Sequence, residues 1–365
     1  MSFDLFLDTD TVQLQQPNWT AYLNQLSLTA LLPWFEAESS NVRLSLNTSA
    51  RQSIWAFVTG TAFTVNGFRF VVIPTEAIDH DELRIPQEWI DLPVWAGDYY
   101  LAAQVEPDEG RVSIWGYATH HTIKTQGRFE GSDRTYSLTA DQLSNPEILW
   151  LTSELCAPVL RAEVAPLPAM SIEHANNLID RLSNPNILIP RLAIPFPLWG
   201  VLMEHGGWRQ RLYQSRQGLA IQPSILEWLQ TGITNLSGIT NLFGWERVEL
   251  QPSYAAARST ELETPTVALS RLLEIAGQSY ELRVVPQPDE SWRFELSNTL
   301  PGGMIPGGFK LRLLTEDLQP FEGNEAIAPT AVESLSIDVA LEPGEGIVWE
   351  TEPIAAQYDR EILQF

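Results

Sequence analysis

The chain has 365 residues, a net charge of −24, 44% apolar residues, 13 tryptophans and one cysteine. That length suits two or three domains with cores of their own, and the apolar content argues for a folded chain over a disordered one. Lys124 and Lys310 are the only lysines, so a nucleic-acid backbone is disfavoured as a direct partner, and a lone Cys156 excludes an intramolecular disulfide.

Asn18 is placed to cap a helix carrying Trp19, Tyr22, Leu23, Leu26 and Ala30 on one face, and Pro33 is expected to end or reset it. From about Val42 the period falls to two. VRLSL, SIWAFV and FRFVVI read as strands, with Val65-Asn66-Gly67 as a turn. The clearest hairpin joins residues 99–105 to 112–119 through EPDEG. In its second arm Ser113, Trp115 and Tyr117 face one way and Val112, Ile114 and Gly116 the other. Apolar bulk on both faces predicts cover on both sides, with the amino-terminal helix as one cover.

Between residues 141 and 250 the spacing is mostly helical: ADQLSNPEILWLTSEL, SIEHANNLIDRL, PFPLWGVLMEH and PSILEWLQ place apolar residues three and four apart. Gly206-Gly207 divides one longer pattern. GITNL occurs at 232–236 and 238–242, too few copies for a solenoid. After Pro265 the period is two again, with Tyr280, Leu282 and Val284 set against Trp292, Phe294 and Leu296 across PQPDE, and further strands at 309–313 and 335–341. The expected fold class is α+β. A β-rich amino-terminal domain preceded by a helix (1–140) leads to a helical middle segment (141–250) and a carboxy-terminal antiparallel β-sandwich (251–365). The three segments hold 17, 10 and 19 acidic and 8, 7 and 7 basic residues, so the middle is nearly neutral between acidic flanks.

VNGFRFVVIPTEAID, PQEWIDLPVWAGDYYLAAQV, GYATHHTIKTQGRF, SDRTYSL, PFPLWGVLMEHGGWRQRLYQSRQ, GFKLRLLTEDLQPFEGNE and VALEPGEGIVWE with YDREILQF resemble the cyanobacterial DUF1822 family, a domain of unknown function. The resemblance implies no enzymatic activity, cofactor or catalytic set. It does imply neighbours of the caspase-like CHAT-type protease and sigma-type regulator kind, which suit an adaptor in a regulatory or defence system.

The residues themselves offer several candidate sites. Asp79-His80-Asp81-Glu82 holds oxygen ligands for a divalent ion but lacks the spacing that wraps calcium, and a solvated acidic turn explains it. His120 and His121 are adjacent in a stretch read as extended, so they point to opposite faces. A general base there would need a third group, and Asp98 and Asp133 are the nearest carboxylates. Cys156 falls near the end of a helical stretch, the wrong end for a reactive thiolate. The acidic turns EPDEG and EPGEG are explained as turns. Trp208 begins a helix on which Arg209, Tyr213 and Arg216 form a cationic and aromatic stripe, suited to an acidic partner segment; internal pairing of these arginines is the competing explanation.

The leading expectation is a non-enzymatic adaptor or scaffold that binds another protein through Trp208, Arg209, Tyr213 and Arg216, with no cofactor and no metal. The alternative is a hydrolase or small-ligand binder with a site near His120 and His121. A third reading, a carbohydrate-binding sandwich, needs a row of exposed tryptophans. The acidic amino terminus lacks the basic residue of a secretory leader and no apolar run reaches membrane length, so a cytoplasmic location is expected.

Overall fold

The computed structural model describes residues 3–6, 18–39, 41–148, 159–219, 224–231, 244–250 and 266–365. Cys156 and the GITNL pair lie outside the described residues. With 29% helix and 36% strand in several sheets, the chain is a mixed α+β protein. It divides into two compact units, Met1–Gln217 and Gly218–Phe365. The helices between residues 172 and 217 thus fall in the first unit and Ile225–Thr231 in the second.

In the first unit the elements run Phe3–Phe6 (β1), Trp19–Glu38 (α1), Val42–Leu44 (β2), Thr48–Trp55 (α2), Thr61–Val65 (β3), Phe68–Thr75 (β4), Glu82–Pro86 (β5), Gln87–Asp91 (α3), Tyr99–Glu106 (β6), Arg111–Thr119 (β7), His120–Gln126 (α4), Arg128–Glu130 (β8) and Thr135–Thr139 (β9). Then come the helices Ile172–Leu182 (α5), Pro190–Ala193 (α6), Phe196–Glu204 (α7) and Gly206–Gln217 (α8). Six strands form one sheet in the order β1-β7-β6-β4-β3-β2 and three form another, β5-β9-β8. The pair β4–β6 is parallel. Parallel neighbours need a crossover, and residues 76–98 supply it, carrying β5 and α3. The turn between β3 and β4 is local chemistry: Asn66 and Gly67 have φ of 51° and 85°, the left-handed pair that a two-residue hairpin requires.

One face of the six-stranded sheet buries Phe63, Val72, Leu101, Val105, Val112 and Ile114 against Leu23, Leu26, Leu31 and Phe35 of α1, the cover expected for the tryptophan hairpin. Pro33 does not end α1, which continues to Glu38. Proline removes one backbone bond, but Pro33 is exposed and its neighbours Leu31 and Phe35 are fully buried. The Phe35 ring meets Phe63 edge-on at 4.7 Å, and that packing holds the last turns. Residues 53–55, read as a strand, close helix α2 instead: Asn47 Oδ1 accepts from the Ala50 amide at 2.9 Å, and Ser53, Ile54 and Trp55 form its buried side. The alternation of β7 also breaks. The register slips between Ala102 and Ala103, leaving Trp115 unmatched while Gly116 pairs with Ala102. This β-bulge turns Tyr117 into the α1 core and leaves Trp115 on the opposite face.

The second unit holds Ile225–Thr231 (α9), Glu246–Leu250 (β10), Thr266–Ile275 (β11), Gln278–Pro286 (β12), Ser291–Asn298 (β13), Lys310–Thr315 (β14), Glu325–Ile327 (β15), Ser334–Ala340 (β16), Gly346–Glu352 (β17) and Ile362–Gln364 (β18). Two antiparallel sheets, β10-β11-β12-β13-β16 and β15-β14-β17-β18, share a core. Tyr280, Leu282, Val284, Trp292, Phe294 and Leu296 enter it from one sheet and Leu311, Leu313 and Trp349 from the other. Period-two alternation produces this, since every second side chain points inward. Trp228, Trp245, Trp292 and Trp349 are all buried, so this unit presents none of them in the exposed row that carbohydrate stacking needs.

Candidate functional site

Three of the four residues in the stripe proposed for docking are interior, and Arg216 is half-buried. Trp208 and Arg209 are 2% and 0% exposed and Tyr213 is buried. Helix α8 packs against α2, α5 and α7, and three neighbours leave it little solvent face. Trp208 stacks on His205 at 4.1 Å. The Arg209 guanidinium donates to Ser53 Oγ at 2.8 Å and to the Met203 carbonyl at 2.5 Å and lies 5.7 Å from the Trp95 ring centre. Arg216 donates to the carbonyls of Leu182 at 2.6 Å and Ile187 at 3.0 Å, satisfying the end of α5; burial lowers its pKa. Arg209 and Arg216 thus tie α8 to α2, α7 and α5. Physically, a buried guanidinium is retained where fixed carbonyls saturate it.

His120 and His121 do not form a catalytic pair. They open helix α4, capped by Thr119, where the sequence suggested an extended segment. His120 is fully buried. Its Nδ1 accepts from the Ala162 amide at 3.0 Å and its Nε2–H donates to the Ile90 carbonyl at 2.8 Å, so both ring nitrogens are occupied. Burial, with help from Lys124 and Arg161, holds its pKa below the usual imidazole value. The Asp98 carboxylate is taken by Arg161 Nε at 2.7 Å and the Arg69 amide at 2.7 Å. Desolvation would raise Asp133, but hydrogen bonds from Thr135 and Arg84 hold it below the usual carboxylate range. The His121 amide donates to the Leu160 carbonyl at 2.9 Å.

The face of the six-stranded sheet opposite α1 bounds a cleft of about 690 Å³. Ile73, Ala102 and Trp115 line it from the sheet, with residues 57–59 as one wall and Asp79, Asp81 and strand β5 as the other. The run read as an acidic turn therefore forms its rim. His80 lies in that run, its ring stacked on Trp115 at 4.9 Å and 5°, with Nε2–H donating to buried Gln104 at 2.7 Å. Among the described residues no group of three or more His, Cys, Asp or Glu is arranged to hold a metal ion.

One feature of the cleft is chemically unfinished: the edge of β5, which pairs with β9 on one side only. The Ala140 amide bonds the Asp81 carbonyl and the Gln87 amide bonds the Arg134 carbonyl, both at 2.9 Å. Bonded pairs alternate along an antiparallel ladder, so Asp81, Leu83, Ile85 and Gln87 direct their backbone groups to β9. Glu82 and Arg84 direct theirs to the open edge, where no described residue bonds them. The Trp115 Nε1–H is closed off from solvent and has no hydrogen-bond partner among the described residues, a state it shares with the Tyr99 hydroxyl.

The charge of the cleft is negative at its rim. Arg191 also lines the cleft but is committed to buried Glu88, with Nη2 at 2.6 Å and Nε at 2.9 Å; the Trp199 indole bonds the same carboxylate at 2.8 Å. Arg84 bonds Glu82 at 2.8 Å and Asp133 at 2.6 Å, and these bonds raise its pKa. No described ion pair involves Asp79 or Asp81. Sequence reasoning noticed Trp115 and the acidic run separately and missed that they meet. The bulge and strand order that join them leave no local signature, and the one usable signal was Pro86, a residue suited to strand edges.

No helix among the described residues is long and apolar enough to cross a membrane. No curated protein and no solved structure matches the chain. The family described as "Protein of unknown function (DUF1822)" matches residues 9–364. That match spans both units and covers the phrases that carried the resemblance up to residue 364: the chain belongs to the DUF1822 family.

Proposed function

We propose that the chain is a non-enzymatic cytoplasmic adaptor that binds another protein, and that the partner engages the cleft beside β5 in place of the interior Trp208 stripe. The observation that carries this reading is a cleft of about 690 Å³ walled by an unpaired strand edge. Open edges invite pairing with another chain. Ile78, 89% exposed on the same rim, adds apolar surface of the kind that interfaces cover. A CHAT-type protease or a sigma-type regulator, the classes implied by the family resemblance, is the first partner to test as purified protein.

The test is capture by the wild-type chain against Ala77→Trp, which places an indole in the cleft from an exposed position. A partner retained by the wild type and lost by the variant supports the reading; one retained equally by both removes the cleft from consideration. A second reading, a small-ligand binder, draws on the same volume, which suits a drug-sized molecule. Native mass spectrometry of the purified chain separates the two by the mass of what stays bound. The hydrolase form of that reading needs a base other than His120, whose ring nitrogens are both engaged.

A further inference from the structure

We infer that the occupant of the cleft is an extended, basic segment of a partner protein, which adds as a strand to the open edge of β5 and covers Trp115. This rests on the cleft being the binding site. Two observations of different kinds converge on it. The outward amide and carbonyl groups of Glu82 and Arg84 present a donor–acceptor pattern that only another backbone in extended conformation matches repeatedly. Asp79 and Asp81 add negative charge to the rim, while the arginines of the cleft are already paired with Glu82, Asp133 and Glu88.

The geometry also limits the segment. Pro86 ends β5 without an amide hydrogen, and α3 starts at the next residue, so pairing is confined to the edge offered by Glu82 and Arg84. The strand is five residues long, about 17 Å at ~3.3 Å per residue. Alternate side chains of an added strand point to opposite faces. One set would meet Ile73, Ala102 and Trp115 on the floor and the other would lie near Asp79 and Asp81, so the favoured pattern alternates apolar with Lys or Arg. A second copy of this chain is the wrong partner by charge, at −24 per chain.

The test uses the full chain and pools of capped octapeptides in which alternate positions are fixed as Lys/Arg, as Asp/Glu or as neutral polar residues. The best member of the best pool is then remade with a single backbone N-methyl group at each position in turn. Basic pools should bind about tenfold tighter than acidic ones at low salt, with the gap narrowing as salt rises. N-methylation should weaken binding about fivefold at two positions, spaced two apart, whose amides meet the Glu82 and Arg84 edge, and leave the other positions unchanged. Glu82→Pro, which removes one edge donor without touching the bonds to β9, should reproduce that loss. Binding that shows neither charge preference nor alternation, yet is abolished by Ala77→Trp, overturns the strand-addition inference and leaves the cleft as the site. Absence of binding by every pool, or binding indifferent to Ala77→Trp, overturns both.

Discussion

The helices around Trp208 and the cleft around Trp115 are built from the same residue types and do opposite things. At α8, Arg209 is fully buried between Ser53, the Met203 carbonyl and the Trp95 ring, and Arg216 closes the end of α5. At the cleft, Trp115 keeps an indole donor without an acceptor and β5 keeps backbone groups without a strand. Tryptophan and arginine near one another therefore say little about docking. What distinguishes a binding surface is a strand edge that the fold leaves open, because an exposed edge is a template for another chain.

The largest effect that would sharpen this contrast is expected at Glu88. Glu88→Gln keeps the shape but leaves the Arg191 guanidinium without its counter-charge, a loss of about 3–5 kcal/mol for a buried pair, measured by urea unfolding. Arg209→Met should follow at about 2 kcal/mol, since Ser53 Oγ and the Met203 carbonyl each lose a charged donor. A change within experimental error at Arg209 would return the Trp208 stripe to the surface.

His120 gives a smaller, pH-dependent effect. Its folded pKa lies below the ordinary value of 6.5 because it is buried. As pH falls through about 6.5 the unfolded chain takes up a proton that the folded chain refuses. The stability is therefore fully present above that pH and is lost as pH drops toward the folded pKa. The slope attributable to one such group is at most about 1.4 kcal/mol per pH unit. His120→Gln should flatten the fall in Tm between pH 7 and pH 5, and an identical slope in both proteins would contradict the neutral, doubly bonded ring. The smallest effect on stability is expected in the cleft: Trp115→Phe keeps a ring against His80 and should cost under about 1 kcal/mol, read as a shift in denaturation midpoint.

Sequence reading succeeded where the determining chemistry is local. Asn66-Gly67 can take left-handed φ, so the β3–β4 turn was visible, and the alternation from Tyr280 to Leu296 reports a strand pair whose inner face lies in one core. It failed where the answer depends on distant residues. Pro33 is tolerated in α1 because Phe35 packs on Phe63 and Phe70, neighbours from β3 and β4. The face of Tyr117 depends on a bulge set by pairing with β6. A three-and-four spacing at Trp208 looks the same whether the helix faces water or other helices. The cleft was least legible of all, since Trp115 and β5 meet only through the crossover and the pairing of β5 with residues about fifty positions later.

The most direct measurement of the central claim is amide hydrogen exchange at Glu82 and Arg84, read by nuclear magnetic resonance while the best basic octapeptide is added. The account predicts slowed solvent exchange at both amides that saturates with binding. Exchange that stays unchanged at both amides while the peptide binds would contradict it.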